Sequence, residues 1–176
     1  MTRRARRVIP GAMPLSTLCL RCGLCCDGTL FTTVAVRPSE VEPLRQRGVP
    51  LVERADGSPA LAQHCAALEG RHCTVYAERP ESCRRYRCHL LSALAEGEVS
   101  LDEALGVVDQ THALVDAVAR ALPPPRPGEP RAVMQRARQA GRAPGTSALS
   151  PEAQEARDRA DAFLVRHFQG RFGHGG

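Results

Sequence analysis

The sequence has little from which to build an aromatic core. It contains no tryptophan, only four phenylalanines and two tyrosines among 176 residues, and neither lysine nor asparagine. A core made mainly of Leu, Val and Ala buries less area per residue than an aromatic-rich one. A small domain of this kind often needs an additional cross-link, either a metal or a disulfide. Because all 24 Lys-plus-Arg residues are arginines, an arginine at any one position is not by itself evidence of a functional choice.

Long apolar runs are also missing. No stretch approaches the ~20 apolar residues that a transmembrane helix requires. The basic start of the chain is followed by an apolar stretch that Pro10 and Pro14 interrupt before it reaches the length of a signal peptide. We therefore expect no membrane association and a cytoplasmic location, where thiols stay reduced.

Motifs of several enzyme classes are absent as well. The sequence has no nucleophile elbow, phosphate loop, dinucleotide-binding fingerprint or paired-histidine metalloprotease motif. The net charge of +5 comes largely from a short run at the start: Arg3, Arg4, Arg6 and Arg7. Such a run can attract nucleic acid, but a solvated, flexible terminus over residues 1–14 is the simpler interpretation.

What the sequence does have is a cluster of cysteines. Two overlapping Cys-x-x-Cys pairs end in a vicinal pair, and four more cysteines follow, giving Cys19, Cys22, Cys25, Cys26, Cys65, Cys73, Cys83 and Cys88. Cys-x-x-Cys spacing lets two thiolates turn toward one ion, and Gly23 permits the positive φ that completes such a knuckle. The pattern predicts that all eight thiols bind metal, most simply zinc or iron.

Disulfides and inert buried thiols are the alternative explanations. An even number of cysteines fits a disulfide framework, but no export signal is recognisable, and Cys25 and Cys26 cannot bridge each other without strain. The clustered spacing argues against eight unrelated core thiols. Eight thiolates divide into two sets of four, which suits zinc sites or iron–sulfur clusters, while a single polynuclear centre also stays open.

Charged neighbours bear on such a site. Four thiolates on Zn²⁺ leave a net charge of about −2, so two sites would carry about −4. Six arginines near the cysteines could offset this charge and keep the thiolates deprotonated: Arg21, Arg71, Arg79, Arg84, Arg85 and Arg87. His64, His72 and His89 are also close in sequence, but with eight thiols available we do not expect them to be ligands.

The elements predict an α+β fold with a small cysteine-rich, metal-bound core of short strands and helices and a helical C-terminal extension. We divide the chain into the flexible basic N-terminus (1–14), a cysteine-cluster metal-binding domain (15–96), a long amphipathic helix (97–122), and a Pro-rich linker with a C-terminal helical extension (123–176). Every cysteine falls in the second of these segments.

Within the cysteine domain, residues 30–36 are β-branched and predict a strand. A short helix capped by Ser39 should end before Gly48. Hairpin turns are expected at Asp56-Gly57 and at Glu69-Gly70. A helix beginning at Pro80 should run through Cys83 to about Glu96.

The second half reads as helical. A capping box at Ser100 opens a helix whose apolar stripe, interrupted only by His112, continues to Leu122. Because of its stripe, this helix either covers the cysteine core or docks a protein partner. The basic segment 131–142 predicts a short helix, the last helix begins at Ser150-Pro151, and the tail 170–176 should be flexible.

With these residues in view, the chain resembles the CxxCxxCC cysteine-cluster family, also called YkgJ-type and described as a zinc- or iron-chelating domain. The resemblance covers about residues 19–90. It is carried by the Cys19–Cys26 run, by the strand and the Glu40 helix that follow, and by the segments 73–76 and 79–84. It implies that all eight cysteines form a metal site, holding zinc, iron or an iron–sulfur cluster.

Three functions follow as hypotheses. The leading one is a metal-chelating cysteine-cluster protein that uses eight thiolates and has a metal ion as its partner. The second is an iron–sulfur enzyme related to flagellin lysine N-methylase, a longer protein that belongs to the family that this chain resembles. The third is a structural zinc module that binds either nucleic acid through its arginine-rich segments or a protein through its C-terminal helices, with nucleic acid the less favoured partner.

Overall fold

The computed structural model describes residues 13–142 and 149–172. The run Arg3 to Arg7 and residues 173–176 of the tail lie outside them. The described helices are α1 Pro14–Cys22, α2 Pro38–Gln46, α3 Glu81–Arg85, α4 His89–Ala95, α5 Leu101–Ala121, α6 Val133–Ala140 and α7 Pro151–Phe168. The described strands are β1 Thr33–Ala35, β2 Val52–Glu53, β3 Pro59–Ala62, β4 Leu68–Glu69, β5 His72–Cys73, β6 Tyr86–Cys88 and β7 Gly170–Phe172. The fold is α+β with C-terminal helices, as predicted.

Helix α1 presents the first two cysteines and then stops. Pro14 occupies its first turn, where a missing N–H costs nothing, and Cys22 is its last residue. Gly23 follows with a φ of 70°, the left-handed conformation predicted for it. The next residues form a turn in which the Cys26 N–H donates to the Gly23 carbonyl at 2.9 Å. Cys25 and Cys26 therefore lie in a turn after the helix.

The N-terminus of α2 differs from the prediction. Ser39 is not its cap; the helix begins at Pro38, and the Glu40 carboxylate accepts the Arg37 N–H at 2.9 Å. Proline at the first helical position fixes a helical φ, so the helix starts two residues earlier than a Ser39 cap would allow. Its C-terminal end is as expected, because Gly48 follows with a φ of 72°.

Both predicted hairpins are confirmed. Strands β2 and β3 flank a turn in which Gly57 has a φ of 79° and Asp56 Oδ1 accepts the Ser58 N–H at 3.0 Å. Strands β4 and β5 flank Gly70 in the same way. Strand β1 adds to β3 on its other side, giving an antiparallel sheet in the order β1-β3-β2. This sheet carries one apolar cluster, here called the sheet core: Val34, Val36, Leu44, Val49, Leu61, Cys65, Ala67 and Val75.

The helix predicted from Pro80 to Glu96 is wrong as a single element. The chain forms α3, leaves the helix as strand β6, and re-enters helix as α4. Strand β6 pairs antiparallel with β7, so the tail predicted to be flexible is a strand over residues 170–172. This pairing joins residues more than eighty positions apart, which a local sequence pattern does not reveal.

The long helix is confirmed as α5. Ser100 Oγ accepts the Glu103 N–H at 3.2 Å, and the Glu103 carboxylate accepts the Ser100 N–H at 2.7 Å. Its stripe packs inside the molecule, with Val108 and Val118 almost completely buried. Buried residues of α1, α4, α5, α6 and α7 form a second apolar cluster, here called the helical core, whose largest fully buried side chain is Phe168. The apolar stripe of α5 therefore packs into the helical core.

The basic segment forms α6, as predicted, and its arginines bind within the chain. Arg138 pairs with Asp161 of α7 at 2.7 Å and also donates to the Thr29 carbonyl at 2.9 Å. Arg136 donates to the Pro123 carbonyl at 2.7 Å. Across the described ranges 13–142 and 149–172, no helix is long and apolar enough to cross a membrane.

Candidate metal centre

A cavity of about 630 Å³ lies between the two apolar cores, and all eight cysteines line it. The cavity wall includes Leu18 and Phe168 from the helical core, and Val34 and Leu61 from the sheet core. Every cysteine is a free thiol. Folding thus collects into one cavity wall the thiols that the sequence spreads from residue 19 to residue 88.

The thiols surround this space without converging on a point. Among the residues that the structure describes, no group of three or more His, Cys, Asp or Glu side chains is already placed to hold a metal ion. The thiols therefore share one cavity, but their side chains do not have preformed ligand geometry.

Three thiols belong to the helical side. Cys19 and Cys22 on α1, and Cys88 at the N-cap of α4, pack against the helical core. The Leu91 N–H donates to Cys88 Sγ at 3.3 Å. Burial raises the pKa of Cys22 to about 12 and that of Cys88 to about 11, so both favour the protonated thiol while no cation is near.

Four thiols belong to the sheet side. Cys65 is part of the sheet core, and Cys26, Cys73 and Cys83 pack against it. The Cys65 N–H donates to the Cys26 carbonyl at 2.7 Å, which ties the loop after α1 to the loop before β4. A hydrogen bond from the Cys26 thiol lowers the pKa of Cys73 to about 6 and raises that of Cys26. Within this pair, the hydrogen bond favours the thiolate on Cys73 and the protonated thiol on Cys26.

Backbone N–H groups from two or three residues further along the chain act on four of the sulfurs. The pairs are Leu24 to Cys22, Ala67 to Cys65, Val75 to Cys73 and Leu91 to Cys88. Hydrogen bonds of this kind favour the thiolate over the thiol. They oppose the rise in pKa that burial causes at these four thiols.

Residues 18–108, more than half of the chain, match the model of a family described as “CxxCxxCC: putative zinc- or iron-chelating domain”. The chain belongs to the CxxCxxCC family. No curated protein and no solved structure gives a significant match. The family assignment made from the sequence is confirmed, and the matched residues contain all eight cysteines. The match ends within α5, so α6, α7 and β7 of this CxxCxxCC protein lie beyond it.

Positive charge surrounds the cavity of this CxxCxxCC protein. Among the described residues, five arginines line it: Arg54, Arg79, Arg84, Arg85 and Arg87. Four of them were expected near the thiols, and Arg54 was missed because it lies in the β2–β3 hairpin, away from any cysteine in sequence. Of the other two expected arginines, neither Arg21 nor Arg71 is among the lining residues, and Arg71 pairs with Asp109 of α5 at 2.7 Å.

Of these arginines, Arg79 acts on the pKa of more than one thiol. Its guanidinium stacks over the Tyr76 ring, 3.6 Å from the centroid, and donates to the Tyr76 carbonyl at 3.1 Å. Burial raises the pKa of Cys19, and the Arg79 charge together with a hydrogen bond from the Tyr76 side chain opposes this rise. Burial likewise raises the pKa of Cys83 to about 12, again against the Arg79 charge. The contact of Tyr76 with Cys19 was not predicted from the sequence.

The histidines stay outside the cavity wall. His64, His72 and His89 are not among its lining residues. His112 of α5 contacts the site indirectly, because its Nε2 lies 2.7 Å from the Cys22 carbonyl oxygen. A carbonyl can only accept, so this hydrogen bond requires the proton on Nε2. His112 thereby anchors the end of α1 to the helical core.

Residues beyond the family match complete the wall. Phe168 and Phe172 line the cavity, and the Tyr86 hydroxyl donates to the Phe168 carbonyl at 2.7 Å. The Tyr86 and Phe172 rings pack with centroids 5.3 Å apart. Gly170 lies so close to β6 that a Cβ there would overlap the Arg87 carbonyl. The C-terminal strand thus closes one side of the cavity.

Proposed function

We propose that this chain is a metal-chelating protein whose cysteine thiolates bind zinc or iron in the cavity between the two cores. The proposed ligands are Cys19, Cys22, Cys25, Cys26, Cys65, Cys73, Cys83 and Cys88. The observation that supports this most is that eight free thiols from six different loops and elements line one cavity. We assign the binding domain to residues 15–96, in a reducing compartment such as the cytoplasm.

The chemistry of the donors fits zinc and iron. Thiolate sulfur is the soft ligand that zinc and iron–sulfur centres take in proteins. A bound centre supplies the positive charge that holds buried thiols in the thiolate form. The chain's own contribution is to collect the sulfurs, to donate backbone N–H groups to four of them, and to place Arg79 and its neighbours where they offset the remaining negative charge. Because no group of three ligands is already in place among the described residues, metal binding would require the cysteine side chains to rotate so that their sulfurs approach one another.

The direct test is elemental analysis of protein purified without oxygen, together with its absorption spectrum. We expect zinc or iron in stoichiometric amounts in the wild-type chain. A variant carrying Cys22→Ser and Cys65→Ser should lose most of this metal, while Ser39→Ala, an exposed change on α2, should retain it. Metal-free wild-type protein that stays folded, or metal retained fully by the cysteine variant, would refute the proposal.

An iron–sulfur enzyme is the second candidate, and the size of the cavity favours it. A volume of about 630 Å³ falls in the range of about 300–1,000 Å³ typical of small-molecule sites, and the wall is largely apolar. Such a space has room for inorganic sulfide or for a small substrate beside a metal centre. This candidate predicts brown protein with broad visible absorption and acid-labile sulfide. Colourless protein with stoichiometric zinc, purified without oxygen, would rule it out.

A further inference from the structure

We infer that the eight thiols form two separate four-cysteine metal sites within the one cavity, an inference that rests on the proposed function. The helical-side site comprises Cys19, Cys22, Cys25 and Cys88. The sheet-side site comprises Cys26, Cys65, Cys73 and Cys83. The division assigns every thiol and excludes a single polynuclear centre.

Packing separates seven of the eight thiols. Cys19, Cys22 and Cys88 contact the helical core, whereas the four sheet-side thiols belong to the sheet core or pack against it. The cavity lies between these cores, so the two groups line different walls. Cys25 belongs to neither cluster, and its assignment needs a separate argument.

The sheet-side thiols are tied to one another by short-range contacts. The Cys26 thiol donates a hydrogen bond to the Cys73 sulfur, and the Cys65 N–H donates to the Cys26 carbonyl. The β4–β5 hairpin, which pairs Leu68 with Cys73, closes the loop that begins at Cys65. The thiols that act most strongly on Cys83 are Cys65 and Cys73.

Cys25 joins the helical side. Among the other thiols, Cys22, Cys88 and Cys19 act most strongly on the pKa of the buried Cys25, and Cys83 of the sheet side follows them. Adjacent side chains in a chain point in different directions, so Cys25 and Cys26 can face opposite walls from one turn. The vicinal pair, awkward for a single small ion, then contributes one ligand to each site.

Backbone donors act on two thiols of each group. On the helical side the Leu91 N–H donates to Cys88 Sγ at 3.3 Å, and the Leu24 N–H acts to lower the pKa of Cys22. On the sheet side the Ala67 and Val75 N–H groups act in the same way on Cys65 and Cys73. The Arg79 charge acts on thiols of both groups, Cys19 and Cys73.

The test compares three double variants that each remove two thiols. Two variants confine the loss to one proposed site: Cys22→Ser with Cys88→Ser, and Cys65→Ser with Cys83→Ser. The matched control, Cys22→Ser with Cys65→Ser, takes one thiol from each site. Each protein is loaded anaerobically with Co²⁺ alone, and bound cobalt is counted per chain whose fold is verified by circular dichroism.

We expect two cobalt ions in the wild type, one in each single-site variant and none bound tightly in the mixed variant. Equal losses in all three variants, or one ion in the wild type, would overturn the division while leaving the metal-binding proposal intact. A wild type that binds no metal would instead refute the proposed function. Should the variants not fold, wild-type protein loaded with ¹¹³Cd decides: two uncoupled resonances support two sites, and cadmium–cadmium coupling through a bridging thiolate contradicts them.

Discussion

Gly23 shows how one residue shapes the candidate site. Its φ of 70° ends α1 immediately after Cys22 and turns the chain toward Cys25 and Cys26. A Cβ at this position would lie 3.0 Å from the Arg71 carbonyl oxygen and 3.1 Å from the Arg71 Cα, both backbone atoms that cannot rotate away. Any residue other than glycine therefore meets both an unfavourable conformation and a crowded neighbour.

Gly23→Ala should lower the free energy of unfolding by about 2 kcal/mol, because left-handed backbone costs roughly 1–2 kcal/mol in a residue with a Cβ and the contact with Arg71 adds to it. Metal occupancy should fall as well, since the turn positions Cys22, Cys25 and Cys26. Urea denaturation and metal analysis measure the two effects.

Gly48→Ala is the matched control, since Gly48 has a φ of 72° but nothing within 4 Å of a built Cβ. This variant should lose about 1–2 kcal/mol of stability and keep its metal. Equal metal retention in the two variants would show that the turn at Gly23 does not position the ligands.

Among the elements, the β6–β7 pair links the cysteine domain to the end of the chain. Strand β6 carries Cys88, and β7 brings Phe172 against Tyr86 and over the cavity. The side chain of Phe172 remains about half exposed, so it contributes more to closing the cavity than to the buried core. Its removal should affect access to the site more than overall stability.

Phe172→Ala should therefore speed the removal of bound metal by an external chelator several-fold, with only a small change in the urea midpoint. The rate is followed by the absorbance of the chelator–metal complex. Val165→Ala provides the control, because Val165 is 61% exposed on α7 and does not line the cavity. Equal extraction rates in both variants would mean that β7 does not limit access.

The same elements show what the sequence could predict. The Ser100 capping box, both hairpin turns and the left-handed Gly23 were predicted correctly, because neighbouring residues encode caps and turns. Strand β6 was missed because three residues gain strand structure only from a partner eighty positions away. All eight proposed ligands were named from spacing, whereas Arg54, Tyr76 and the His112 contact depend on tertiary packing.

At the scale of the whole molecule, two modest cores face each other across a cavity lined with thiols. The helical core is built largely from Leu, Val and Ala, and no tryptophan is available to fill the space between the cores. Burial disfavours ionised thiols unless a cation is present. We therefore expect the cavity to be the least stable region of the metal-free fold. Bound metal would connect the two cores through their sulfurs.

Removing the metal should therefore loosen the cysteine domain. A ligand at a thousand times its Kd stabilises a fold by about 4 kcal/mol, and chelation under reducing, oxygen-free conditions should remove a stabilisation of this order. The urea midpoint should drop, and the thiols should react faster with a thiol reagent, while the helical signal of α5 and α7 partly persists. Unchanged thiol reactivity after chelation would argue against metal in the cavity.

The central claim is that sulfur atoms of these cysteines surround the metal. X-ray absorption at the zinc or iron edge, measured on protein purified without oxygen, tests it most directly. The account predicts a first shell of about four sulfurs per metal at about 2.3 Å. A first shell made mainly of nitrogen and oxygen atoms would contradict it.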